Sequence, residues 1–80
     1  MNNARDIEKD DILAIMRLRS GRRFLSRLIS ESGVEGSAFD KNPTTHALNE
    51  GRRQLGIYLV EELKECAPLE YVTMIKERLE

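Results

Sequence analysis

Apolar residues recur along this chain at intervals of three and four, the spacing that lines one face of a helix. Ile12, Ile15, Met16 and Arg19 fall on one stripe, and Leu13 and Leu18 widen it. Acids precede that stripe, where a helix dipole favours them, and Asp6 or a near neighbour can cap the first helix. Ser20 is a suitable N-cap for a second helix, GRRFLSRLISES, and Gly33 a suitable residue to end it. Ser20-Gly21 either breaks the chain between two helices or bends one. Residues 34–43, VEGSAFDKNP, read as a loop in which Phe39 folds back onto the core. Pro43 or Thr44 then opens a third and longest helix, TTHALNEGRRQLGIYLVEELKECA. Pro68 stops it, because the residue before proline avoids helical geometry, and proline itself suits the first turn of a new helix. In that fourth helix the stripe is Leu69, Val72, Ile75 and Leu79. Sustained alternation and Asn-Gly or Asp-Gly hairpin turns are missing, so strands are not expected. The expected fold is all-α: a small bundle of about four helices in a single domain, residues 1–80.

Eighty residues bury only a modest core, and domains this small often need disulfides, metals or association. Cys66 is the only cysteine, so no disulfide forms within the chain. One cysteine and one histidine cannot make a four-ligand zinc site. Association is the remaining source of extra stability. The free thiol fits a reducing compartment. No apolar stretch exceeds about five residues, far short of the roughly 20 that a membrane-spanning helix needs, and the N-terminus is polar and acidic.

The net charge is −1, but it is unevenly placed. Five arginines and no acid lie between Ile12 and Ser30, whereas six glutamates face three basic residues between Glu61 and Glu80. Such asymmetry suits an anionic partner, or pairing of the basic segment with acids of its own chain or a neighbour.

Gly-Arg-Arg occurs twice, at 21–23 and 51–53, each time at the head of an apolar run. Gly21 is in line with Leu25, Leu28 and Ser32. Gly51 is in line with Leu48, Leu55, Tyr58 or Leu59, and Leu63. A mid-helix glycine costs about 1 kcal/mol against alanine. Close helix–helix approach at Gly51, helped by Gly56, would offset that cost. Arg52 and Arg53 are one helical step apart and point about 100° apart. Arg52 is expected to turn inward beside Gly56 and pair with Asp10, Asp11, Glu70 or Glu77. Arg53 is expected to stay outside, available to a partner with Arg22, Arg23 and Arg27. Three readings of these arginines remain open: stems covering the core with heads in water, ion pairs with the acidic third, or phosphate contacts.

Catalytic patterns are missing. There is no Gly-x-Ser-x-Gly turn and no phosphate-cradling Gly-rich loop. His46 and Glu50 read as a surface pair, and Cys66 as a small core residue. Adjacent carboxylates such as Asp10-Asp11 and Glu61-Glu62 diverge on a helix. No catalytic residue, cofactor or metal is expected.

The stretches GRRFLSRLISESGV and ALNEGRRQLGIYLVEEL, the intervening Phe39, and the closing Pro68 and Met74-to-Glu77 segment together resemble a small phage domain family first named from a Bordetella podovirus. NEGRRQLG, Asn49 to Gly56, is the most specific element. The Thr-Pro common in the family before the first Gly-Arg-Arg is here Arg19-Ser20. The resemblance implies a tailed-bacteriophage protein encoded among head and portal genes, present in the host cytoplasm or the virion, with no enzymatic activity. The expectation is a structural or assembly protein, acting as a homo-oligomer or on a head or portal protein. The alternative is a nucleic-acid-binding accessory, with Arg22, Arg23, Ser26, Arg27 and Ser30 as a recognition surface.

Overall fold

The computed structural model describes residues 3–34 and 42–80, all helical apart from caps and turns. Phe39 lies outside the described residues. Helix α1 spans Ala4–Arg17 and begins in a capping box. The Asn3 side chain accepts from the Asp6 N–H at 2.9 Å, and the Asp6 carboxylate accepts from the Asn3 N–H at 3.4 Å.

Leu18 is a one-residue corner. Its extended backbone, φ −91° and ψ 132°, ends α1 and starts α2 at Arg19–Ser32. The chain therefore makes two helices, and the break falls at Leu18, not at Ser20-Gly21. Ser20 sits inside the first turn of α2, which has no side-chain cap. Gly33 ends α2 at φ 74°, the left-handed conformation that glycine adopts without strain.

Helix α3 spans Pro43–Cys66, and Asn42 caps it by accepting from the Thr44 and Thr45 N–H groups at 2.9 and 3.2 Å. Ala67 is the joint to α4, Pro68–Arg78, whose first residue is the proline. The third helix is the longest, as the pattern predicts.

Every helix touches the other three. Met16 of α1, Ile29 of α2, Leu63 of α3, Ala67 and Met74 form the buried core. Ile12, Leu13, Leu25, Val34, Leu59, Val60, Tyr71 and Ile75 pack around it, half-buried. Each fully buried Met, Ile or Leu contributes about 1.5–3 kcal/mol by leaving water.

Two helices present only part of their predicted stripes to this core, Leu59 and Leu63 in α3 and Ile75 in α4. In α3 the inward line runs through Arg53, Gly56, Val60 and Leu63, while Leu48, Gly51, Leu55 and Tyr58 face outward. In α4 the inward line is Tyr71, Met74 and Ile75, while Leu69, Val72 and Leu79 are exposed. Both helices carry apolar residues around most of their circumference, so hydrophobicity alone did not choose the face. In α3 backbone proximity chooses it. A Cβ at Gly56 would overlap the Ser32 side chain and lie 3.2 Å from the Val34 Cβ. Ser32 is buried, and its hydroxyl donates to the Ile29 carbonyl. The end of α2 thus crosses α3 at Gly56, one of the two α3 positions without a side chain.

The result is extended for its length. The radius of gyration is 14.4 Å, against about 12 Å for a compact chain of 80 residues. The principal extents are 48 × 36 × 16 Å.

Candidate binding surface

The first Gly-Arg-Arg builds the corner between α1 and α2. A Cβ at Gly21 would overlap the Ile15 carbonyl oxygen and lie 2.9 Å from the Ile15 Cγ2. Glycine here lets α2 fold back against the end of α1. One residue on, Arg22 turns inward, with its side chain 13% exposed. Its NH1 donates to the Met16 carbonyl at 2.9 Å, satisfying one of the carbonyls a helix end leaves open. Its Nε and NH2 donate to the Glu77 carboxylate of α4 at 2.8 and 3.1 Å, a two-pronged grip that suits a planar guanidinium. One side chain joins three helices. The hydrogen bonds from Arg22 hold the Glu77 carboxyl below the ordinary carboxylate range, and the carboxylate in turn raises Arg22.

The second Gly-Arg-Arg does none of this. Among the described residues no atom lies within 4 Å of a Cβ built at Gly51. The close approach expected at Gly51 occurs instead at Gly21 and Gly56. Arg52 is exposed and makes no ion pair among the described residues; Arg53 is the more inward of the two. Arg53 meets Glu50 of its own helix at 3.5 Å, both side chains more than a third exposed, a pairing worth little. The expected inter-helix arginine is thus Arg22, not Arg52, and Arg22 is committed to the fold instead of waiting for a partner.

A second clip closes the opposite end. Arg5 of α1 donates to both Glu62 oxygens of α3 at 3.2 and 2.8 Å, and reaches Glu65 at 3.1 Å. Nothing in the sequence pattern singled out Arg5, which lies among acids near the start of α1. Its hydrogen bonds lower Glu62. The Glu62 charge raises the nearby Tyr58 hydroxyl. Cys66 is half-buried beside this clip, its thiol donating to Glu62 at 3.6 Å, and burial pushes the thiol pKa up.

Beyond the Arg22–Glu77 clip lies a cleft of about 410 Å³ between α2 and α4. Arg19, Arg23 and Arg27 follow one another at four-residue steps along α2, about 6 Å apart. Ser26 and Ser30 form the adjoining row, Arg78 stands on the α4 side, and buried Met74 lies at the bottom. Arg19 is shared with Glu77 and Glu80 at 3.5 and 3.6 Å. Arg23 and Arg27 are exposed and make no ion pair among the described residues; Arg27 rests over the Phe24 ring at 5.7 Å. The structure thus brings Arg23 and Arg27 together on one surface and leaves Arg53 elsewhere, on α3.

With this surface in view, the comparison with known families becomes specific. The model of the Bbp19-like phage proteins matches residues 12–76, which include both Gly-Arg-Arg stretches, the corner and all of the cleft lining except Glu77 and Arg78. The chain belongs to this family. No curated protein and no solved structure matches it. Membership makes it a phage protein. None of the described helices of this Bbp19-like protein is long and apolar enough to cross a membrane.

Proposed function

We propose that this Bbp19-like protein is a non-enzymatic structural or assembly component of the phage, acting by docking helix faces onto copies of itself or onto a head or portal protein. One observation carries the reading. Among the described residues, eleven large apolar side chains are exposed, against five in the buried core. They are not scattered. Leu48, Leu55 and Tyr58 run along the outer side of α3, 56–64% exposed, with bare Gly51 between them. Leu69, Val72 and Leu79 run along the outer side of α4. Contiguous apolar surface of this kind marks an interaction site on a soluble protein. The glycine at the centre of the α3 stripe would let a partner helix come close.

The reading is tested on purified virions and on the isolated protein. Mass spectrometry should find the chain in the particle at stoichiometric level, or affinity capture from infected cells should retain a head or portal protein. Leu55→Glu on the outer face of α3 should weaken assembly while circular dichroism stays unchanged. A chain that is monomeric, absent from virions and captured with no particle protein overturns the proposal.

A further inference from the structure

The α2–α4 cleft offers more cationic groups than the fold uses. Five arginines line it against a single glutamate, on a chain whose net charge is −1. Glu77 is already gripped by Arg22. Arg23 and Arg27 remain over, on the rim with their backbone positions about 6 Å apart along α2, with buried Met74 below and half-exposed Phe24 and Leu28 on the same helix.

The complement to this arrangement is elsewhere on the same molecule. Arg5, Lys9, Ile12 and Met16 turn α1 toward its neighbours. Its opposite side carries Ile7, 52% exposed, with Asp10 three residues on and Asp11 four residues on. Residues at those spacings form one patch. Both aspartates are exposed and make no ion pair among the described residues. The α1 patch is therefore an apolar residue flanked by carboxylates, and the cleft is a row of guanidiniums above a single buried methionine.

We infer that the α2–α4 cleft is the receptor for the outer face of α1 from a second copy of this chain, Asp10 and Asp11 pairing with Arg23 and Arg27 and Ile7 facing the floor. This rests on the assembly reading above and names one of its contacts. The two surfaces differ, so the contact is head-to-tail and propagates into a ring or a filament. A nucleic-acid backbone is the weaker occupant. Domains built to bind it carry an isoelectric point above about 9, whereas this chain's is about 5.9, and its exposed aspartates would repel a polyanion.

Charge reversal tests the pairing. Sedimentation velocity at 50 and 500 mM salt would compare the wild type with Arg23→Glu/Arg27→Glu and with Asp10→Lys/Asp11→Lys, each checked for unchanged helicity. Wild type should self-associate at low salt and less at high salt. Each reversed variant alone should lose about tenfold or more in association constant. An equimolar mixture should regain it, because each supplies the partner the other lacks. A mixture that stays dissociated, or a wild type that is monomeric throughout, overturns the inference. Association unchanged by either reversal but lost in Leu55→Glu overturns it while leaving the assembly reading intact. Tight binding of a fluorescent 20-base-pair DNA that Arg23→Glu/Arg27→Glu abolishes, with self-association unaffected, overturns it in favour of nucleic acid.

Discussion

The two Gly-Arg-Arg stretches share three residues and almost nothing else. At 21–23 the glycine is pressed against the Ile15 carbonyl, the first arginine is half-buried and bonded across three helices, and the second lines a cleft. At 51–53 the glycine faces open space, the first arginine is exposed, and the second makes a weak contact within its own helix. The difference is one of place. Gly21 follows a chain corner, where backbone from the previous helix must pass close by. Gly51 is inside a long helix, on the side turned from the core. A tripeptide specifies what its side chains can do; the neighbouring backbone decides which of those things happens.

The largest effect should come from filling the first glycine. Gly21→Ala must displace backbone, not a flexible side chain, and should destabilise the fold by about 1–3 kcal/mol in denaturant titration. A variant as stable as wild type would mean the corner relaxes freely, and the contrast with Gly51 would collapse.

Next comes the arginine pair. Arg22→Ala leaves Glu77 and the Met16 carbonyl without their donor, and should lower the melting temperature by several degrees; Arg52→Ala should leave it nearly unchanged. Glu77→Ala in the Arg22→Ala background should add little, since the two act as one unit. Equal losses at Arg22 and Arg52 would erase the distinction.

Acid should then sharpen the comparison. Glu62 and Glu77 are lowered from the usual carboxylate value of 4.5 by hydrogen bonds from Arg5 and Arg22. Their contribution is fully present above that value and is lost as the pH falls below it, because the unfolded carboxylates take up protons first. Stability measured from pH 6 to pH 3 should fall, and Arg22→Gln should flatten part of that slope. Arg52→Gln should not.

The smallest effect has the opposite sign. Gly51→Ala meets no atom among the described residues and should stabilise the isolated chain by about 0.5–1 kcal/mol through helix propensity alone. If the α3 stripe docks a partner helix, the same variant should associate more weakly while melting higher.

Much of the fold was legible because the punctuation is chemical. Gly33, Asn42-Pro43 and Ala67-Pro68 each limit the backbone by their own geometry, and the helix ends fall there. The corner at Leu18 was misplaced by two residues, since nothing about leucine marks a break; tertiary contact between Gly21 and Ile15 sets it. Helix faces were harder. LGIYLV in α3 is apolar in every direction, and in α4 Val72 and Met74 are equally plausible as core by hydrophobicity. The site was legible as a basic segment but not as a geometry. Arg22 and Arg23 are neighbours of the same type, and only the position of Glu77, 55 residues further along the chain, separates the inward one from the rim one. Arg5 gave no signal because its partners are equally remote.

At 16 Å through its thin direction, the molecule is at most two helices deep, since packed helix axes lie about 8–10 Å apart. None of the four described helices is shielded on all sides by the others. Opening any one of them exposes the remaining three, so amide hydrogens throughout should exchange with solvent at rates set by one shared opening event, with little spread between helices. If the outer faces are covered by assembly, that exchange becomes a concentration-dependent clock. Protection along α3 and α4 should lengthen as the protein is concentrated, with no change in the shape of any single chain.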